Sequence, residues 1–183
     1  MFLSFLFMFM GKKKMFTLMV VIISFFTGIL TNPIRIGLNP ILNNSLFLNI
    51  KEQTVKNEGG WIVENLYFPV NNYPIMAGAP TINCTNTYPN LELMYSLDPG
   101  KKYKSIYNRY GSFMFIITKD DTRFELLNSD YFNVYINVND IQKLNAKYIL
   151  TNRNLEGFNN SNIYFSKIKE IYEYKIYEIK LSA

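Results

Sequence analysis

The chain has 183 residues, 49% of them hydrophobic, with a formal net charge of +5, one cysteine and no histidine. That length suits one domain, the lone Cys84 excludes an internal disulfide, and without histidine neither a Ser-His-Asp set nor a Cys/His metal site can form. Most of the excess charge sits on Lys12, Lys13, Lys14 and Arg35, beside an apolar run, so the remainder lacks the clustered basic face that nucleic acid requires.

Met1 to Met10 is apolar throughout, but ten helical residues rise only about 15 Å, half of a hydrocarbon core. It reads as the end of a longer span or as a loose apolar tail. Met15 to Leu30, MFTLMVVIISFFTGIL, is uncharged and enters directly from the lysines. Its length is marginal for a crossing once Thr31 and a snorkelling Lys14 are added. A secretory signal peptide is the rival, but its cleavage site needs small residues in an A-x-A-like pattern, and this run ends GILTNP. The expectation is therefore a retained transmembrane helix over 15–31, lysines inside and residue 32 onward outside the cytoplasm.

Asn32-Pro33 stops that helix, because proline disfavours the α region in the residue before it, and 32–44 reads as a stiff linker. The outer domain is expected over 45–183. Ser45 is the expected cap of a helix through Leu46, Leu48, Ile50 and Val55, ended by Gly59-Gly60, with a strand at Trp61 to Asn65. Leu66 to Pro99 is loop-like, with a short helix begun by Asn90 and stopped at Asp98-Pro99-Gly100. Lys101 to Tyr110 has Tyr103, Ile106, Tyr107 and Tyr110 at helical spacing, read as a helix laying aromatic rings on a sheet.

Ser112 to Thr118 is a buried strand with Lys119 to Thr122 as its turn. Strands at Arg123 to Leu127 and Tyr131 to Val138 follow, then a short helix capped by Asn139 or Asp140, a strand at Lys147 to Thr151, and a terminal hairpin around Glu170 to Glu173. The fold class is α/β, a mixed sheet with short helices, preceded by an N-terminal transmembrane helix.

No nucleotide-binding, zinc or other motif with an attached mechanism is present, and no cofactor or metal is expected. Asp120-Asp121 reads as a solvated turn. Glu92 reads as a helix N-terminal acid, stabilised there by the helix dipole. In the loop Ile82 to Asn90 the side chains of Asn83, Thr85, Asn86, Tyr88 and Asn90, with Glu92 after them, are the types that hydrogen-bond and stack on sugars. The competing reading is a loop whose Asn and Thr side chains satisfy their own backbone. Asn43, Asn83 and Asn159 begin N-x-Ser/Thr triplets, which an asparagine-rich chain contains by chance.

The apolar span followed by NPIRIGLNPIL, then WIVEN, YPIMAGAPTINCTNTYPNLELMYSLDP, YNRY, LNAKYILTN and IYEYKIYEIK, resembles the C-terminal end of large multi-span bacterial membrane proteins of the glycosyltransferase C-like group, which includes the YfhO-like proteins. The resemblance implies an extracytoplasmic domain on the last span of an enzyme that takes sugars from a polyprenyl-phosphate carrier. It also implies that the catalytic carboxylate belongs to an early outer loop that this sequence lacks. The expected chain is then a C-terminal fragment or truncated paralogue without a catalytic centre, in the cell membrane. Its expected partners are the bilayer, the transmembrane helices of a longer protein, and a polyprenyl-linked sugar or surface glycan. The alternative is a single-span protein with a non-catalytic outer binding domain.

Overall fold

In the computed structural model of the chain, Phe7 and residues 9–31, 39–56, 58–85 and 87–182 are described. They divide into two units, Met1–Leu38 and Asn39–Ala183.

The first unit contains the helix α1, Lys13–Thr31, of 19 residues. The adjacent residues Val20, Val21 and Ile22 are 40%, 58% and 41% exposed, and Phe25 and Phe26 are about as open. Three consecutive residues cover most of a helical turn, so apolar side chains are exposed over most of α1, while Thr17, Ser24 and Thr27 gather on one face. The expected helix is therefore present, but two lysines open it and leave roughly 25 Å of apolar length against a core of about 30 Å. Among the described residues no helix is long and apolar enough to cross a membrane.

The second unit begins inside the expected linker: Asn39–Leu42 is a helical turn, α2, and only 32–38 of that linker lies outside the described residues. Helix α3, Ser45–Lys56, follows. Its cap is Asn44, not Ser45, since Asn44 Oδ1 accepts the Leu46 and Phe47 amides at 2.9 and 3.4 Å. Ser45 already lies within the helix, and capping belongs to the residue just before it. Strand β1, Gly60–Glu64, comes next, then the helical turn α4, Tyr73–Met76, and α5, Leu91–Leu97.

The helix expected over Lys101 to Tyr110 shrinks to one turn, α6, Lys104–Tyr107. The Asp98 carboxylate takes the Lys102 and Tyr103 amides at 3.1 and 2.8 Å, and Lys101 is left-handed with φ 54°, so the chain turns before it can coil. Arg109 folds back from the other side, its Nε donating to Ile106 O at 2.5 Å. The ring pattern still serves its expected end: Tyr107 is fully buried and Tyr103 lies against Phe124 at 5.5 Å.

The remaining strands are β2, Ser112–Thr118; β3, Arg123–Asn128; β4, Tyr131–Asn137; β5, Ala146–Thr151; β6, Ile163–Ile171; and β7, Tyr174–Leu181. They form one seven-stranded mixed sheet in the order β3-β4-β2-β1-β5-β7-β6. Strands β4, β2, β1 and β5 are parallel, while β3, β7 and β6 join antiparallel.

Residues 119–122 do not close a hairpin between β2 and β3, because β4 lies between those strands. The link is tied to the end of β4: Asn137 Nδ2 donates to Lys119 O and Asp120 O, and the Asn137 amide donates to Thr122 Oγ1. Only Phe124 of β3 is buried, which suits an edge strand, whereas β2 is apolar on both faces and takes an inner place. After β4 comes a 3₁₀ segment, Val138–Leu144, capped by Asn137 through the Asn139 amide and not by Asn139 or Asp140. The C-terminal hairpin forms as expected, its edge strand β6 carrying exposed Lys167 and Lys169 outward, which discourages edge pairing.

Strand alternation divides the core in two. Ile62, Phe115, Ile149 and Tyr177 meet α5, α6 and the 138–144 segment on one face; Trp61, Val63, Tyr148 and Leu150 meet α3 and α4 on the other. At the entry to β2, Gly111 is required sterically, since a Cβ there would stand 2.2 Å from Asp130 O. Gly111→Ala is expected to destabilise the domain by about 1–3 kcal/mol through forced backbone movement. Gly100→Ala, which meets no atom within 4 Å, should have a thermal melt close to the wild type.

Candidate functional site

Of the loop singled out for sugar contacts, Asn83 and Thr85 border one cleft and Asn90 and Glu92 another. Asn83 is 8% exposed and serves β1: its Oδ1 accepts the Val63 amide at 2.8 Å and its Nδ2 donates to Val63 O at 2.6 Å. It fills a gap in the sheet, because β1 and β2 pair only at Glu64 and Phe115. An amide used on both sides is no glycosylation acceptor. Thr85 is exposed, with its hydroxyl 3.4 Å from Ser112 Oγ, and with Cys84 it borders a cavity of about 50 Å³. Burial pushes the Cys84 thiol up.

Asn86 lies outside the described residues. Tyr88 is 85% exposed and does not line the cleft bordered by Thr85 or the one bordered by Asn90. Asn90 caps α5 through the Leu93 amide, and Glu92 occupies its first turn, as expected; the two border a separate open cleft of about 230 Å³ with Lys143. Asp120 and Asp121 are exposed in their turn.

A more organised place lies at the carboxyl edge of the sheet. After β1 the chain leaves toward β2 on one side, and after β5 it leaves toward β6 and β7 on the other. Diverging connections open a crevice at such a switch point, where open α/β sheets bind ligands. Glu64 and Thr151, paired in register, end these two strands.

Glu64 is fully buried. Its Oε1 accepts from Arg153 Nη1 at 2.6 Å and from the Ile117 amide at 3.1 Å, and its Oε2 accepts from the Thr151 hydroxyl. Arg153 Nη1 also donates to Ile117 O at 3.1 Å, and its guanidinium lies 5.3 Å from the centre of the Phe158 ring. One carboxylate thereby ties the ends of β1, β2 and β5. Burial raises the Glu64 carboxyl above its ordinary value, outweighing the opposing pull of Thr151, Arg153 and the Ile117 amide.

The next residue along each strand borders the crevice. Asn65, left-handed at φ 54°, donates from Nδ2 to Asn152 Oδ1 at 3.2 Å. Around them Tyr67, Phe68, Glu173 and Tyr174 enclose a space of about 290 Å³. The β6–β7 turn, with Tyr172 at φ 56°, delivers Glu173 and Tyr174 to this edge. Tyr67 and Phe68 are 66% and 79% exposed. None of these residues stood out in the sequence, because the crevice exists only once strand order is known; the one local signal was a strand running WIVE into Asn65.

Among the described residues no group of three or more Asp, Glu, Cys or His is gathered to hold a metal. Neither a curated protein nor a solved structure matches the chain. A family model described as Domain of unknown function (DUF7654) matches residues 40–182, nearly all of the second unit, and the chain belongs to that family.

Proposed function

We propose that this member of the DUF7654 family is the membrane-anchored outer domain of a glycosyltransferase-like membrane protein, serving cell-surface glycan assembly by binding and not by catalysis. The observation that carries the binding role is how the buried carboxylates are used. Glu64 is locked by Arg153, Thr151 and the Ile117 amide, and Asp98 by two backbone amides. Both are consumed in holding the fold, while one open cleft presents Asn90, Glu92 and Lys143 and the other presents amides and aromatic rings beside the single carboxylate of Glu173.

The anchor is α1. A helix with exposed apolar side chains over most of its surface needs apolar cover, which a bilayer or neighbouring helices supply, and a short span is accommodated by local thinning and snorkelling lysines. The lysines before it favour a cytoplasmic start, which puts Asn39 onward outside. The motifs from WIVEN to IYEYKIYEIK support the glycosyltransferase-like context.

Alkaline phosphatase fused after Ala183 is expected to be active, and a β-galactosidase fusion at the same point inactive; the opposite pattern overturns the orientation. The purified chain is expected to transfer no sugar from a polyprenyl-phosphate sugar, and measurable turnover overturns the non-catalytic reading.

A further inference from the structure

We propose that the crevice between the carboxyl ends of β1 and β5 is a binding site for an uncharged sugar of one or two pyranose rings, seated on Tyr67 and Phe68 and hydrogen-bonded by Asn65 and Asn152. This deepens the binding role proposed above by giving it a site and a ligand class. The volume of about 290 Å³ stands at the lower end of small-molecule sites, about 300–1,000 Å³, which limits the ligand to a ring or two.

The polar groups are matched to hydroxyls. Asn65 Nδ2 donates to Asn152 Oδ1, a pairing that orients both amides and leaves Asn65 Oδ1 as an acceptor and Asn152 Nδ2 as a donor without a partner among the described residues. A sugar hydroxyl both donates and accepts, so it answers either group, and the Glu173 carboxylate accepts a further hydroxyl. Tyr67 and Phe68, largely exposed beside these amides, offer flat apolar faces. A pyranose has an apolar C–H face with hydroxyls around its rim, and burying that face on a ring removes both surfaces from water.

Charge argues against the ligand that sheet order alone would suggest. The strand order β4-β2-β1-β5 is that of a nucleotide-binding half-sheet, and nucleotides dock there through a glycine-rich turn and a helix N-terminus aimed at phosphate. Here the turn after β1 reads Asn65-Leu66-Tyr67-Phe68-Pro69 and leads into a 3₁₀ turn, Val70–Asn72, then the single turn of α4. Among the described residues no lysine or arginine lines the crevice, and Glu173 is placed to repel a phosphate. The ammonium of Lys175, the next residue on β7, is held by the backbone carbonyls of Asn152 and Glu173 at 3.3 and 3.5 Å and lies 3.6 Å from Glu170.

The full chain in a detergent with no sugar headgroup can be tested by saturation-transfer NMR against maltose, cellobiose and N,N′-diacetylchitobiose, with uridine diphosphate and inorganic phosphate as charged comparators. Saturation of at least one disaccharide and of neither comparator is expected. Tyr67→Ala and Asn152→Ala are expected to weaken that binding about tenfold or more, while Tyr88→Ala leaves it unchanged. Tyr67 is largely exposed, and each variant's unfolding transition checks that the fold is intact. Preference for uridine diphosphate or phosphate overturns the proposal, as does the absence of saturation for every disaccharide. Loss in Tyr88→Ala with retention in Tyr67→Ala refutes this crevice and returns the sugar to the 83–92 loop, leaving the binding role intact; topology and turnover test that wider role separately.

Discussion

Arg153→Ala is expected to destabilise the outer domain by about 3–5 kcal/mol, the usual consequence of leaving a buried charge without its partner. Domains of this kind have about 5–15 kcal/mol in total, so the loss is a large fraction of the whole. The partner left behind is Glu64, which is 0% exposed and accepts from Arg153 at 2.6 Å. Replacing both by apolar groups of similar size, Glu64→Leu with Arg153→Met, should cost much less than Arg153→Ala alone, since no charge then remains buried. Urea unfolding of the three proteins at neutral pH measures this; a double variant no better than the single one would place the effect in packing.

The same site has a pH signature. Burial raises the Glu64 carboxyl in the folded state above its ordinary value of 4.5, so the folded protein holds that proton more tightly than the unfolded chain. The stability this supplies is complete below 4.5 and is lost as pH rises through the folded value. Removing Arg153 takes away one of the interactions that hold the value down, so the window widens upward. The stability gap between wild type and Arg153→Ala should therefore narrow as the pH falls toward 4.5. A gap independent of pH would show that Glu64 does not carry the charge.

Trp61→Ala should cost a comparable amount, about 3–5 kcal/mol. Trp61 is fully buried on the face covered by α3 and α4, with its ring 5.0 Å from that of Tyr148 on the neighbouring strand. Truncation empties the middle of that cluster, and β1, paired along its length with β5, leaves the close-packed site little room to collapse. Its Nε1 is buried without a hydrogen-bond partner among the described residues, so Trp61→Phe gives up ring area but also relieves an unmet donor, and it should be much milder than alanine. Far-UV circular dichroism during denaturation reads both variants, because the change removes the chain's only tryptophan. Because β1 also delivers Glu64 and Asn65, the alanine variant is expected to loosen the crevice along with the core.

What could be read locally was read well. A strand such as SFMFIIT carries its burial on both faces in its own residues, and Asn90 before LELM is a capping signal that needs no tertiary knowledge. Where two capping residues stand side by side the local signal is ambiguous by one or two positions, as with Asn44 against Ser45 and Asn137 against Asn139. Backbone geometry at the helix start decides between them. The helix expected over Lys101 to Tyr110 is shortened for a different reason: the aromatic spacing holds, but Asp98, outside that stretch, takes the amides that a longer helix would use.

Composition by itself determined that this chain has no internal disulfide and no histidine, and the order of its apolar runs that an apolar helix precedes an α/β domain. Those properties reside in single residues or short periodic runs, so they survive without coordinates. Only tertiary structure decided that β4 separates β2 from β3, that Asn83 is hydrogen-bonded into the sheet, and that Glu64, Thr151 and Arg153 are one cluster. The pairs Glu64 with Arg153 and Asn65 with Asn152 are each nearly ninety residues apart. Strand order alone brings such distant residues to one edge, and no local pattern encodes it.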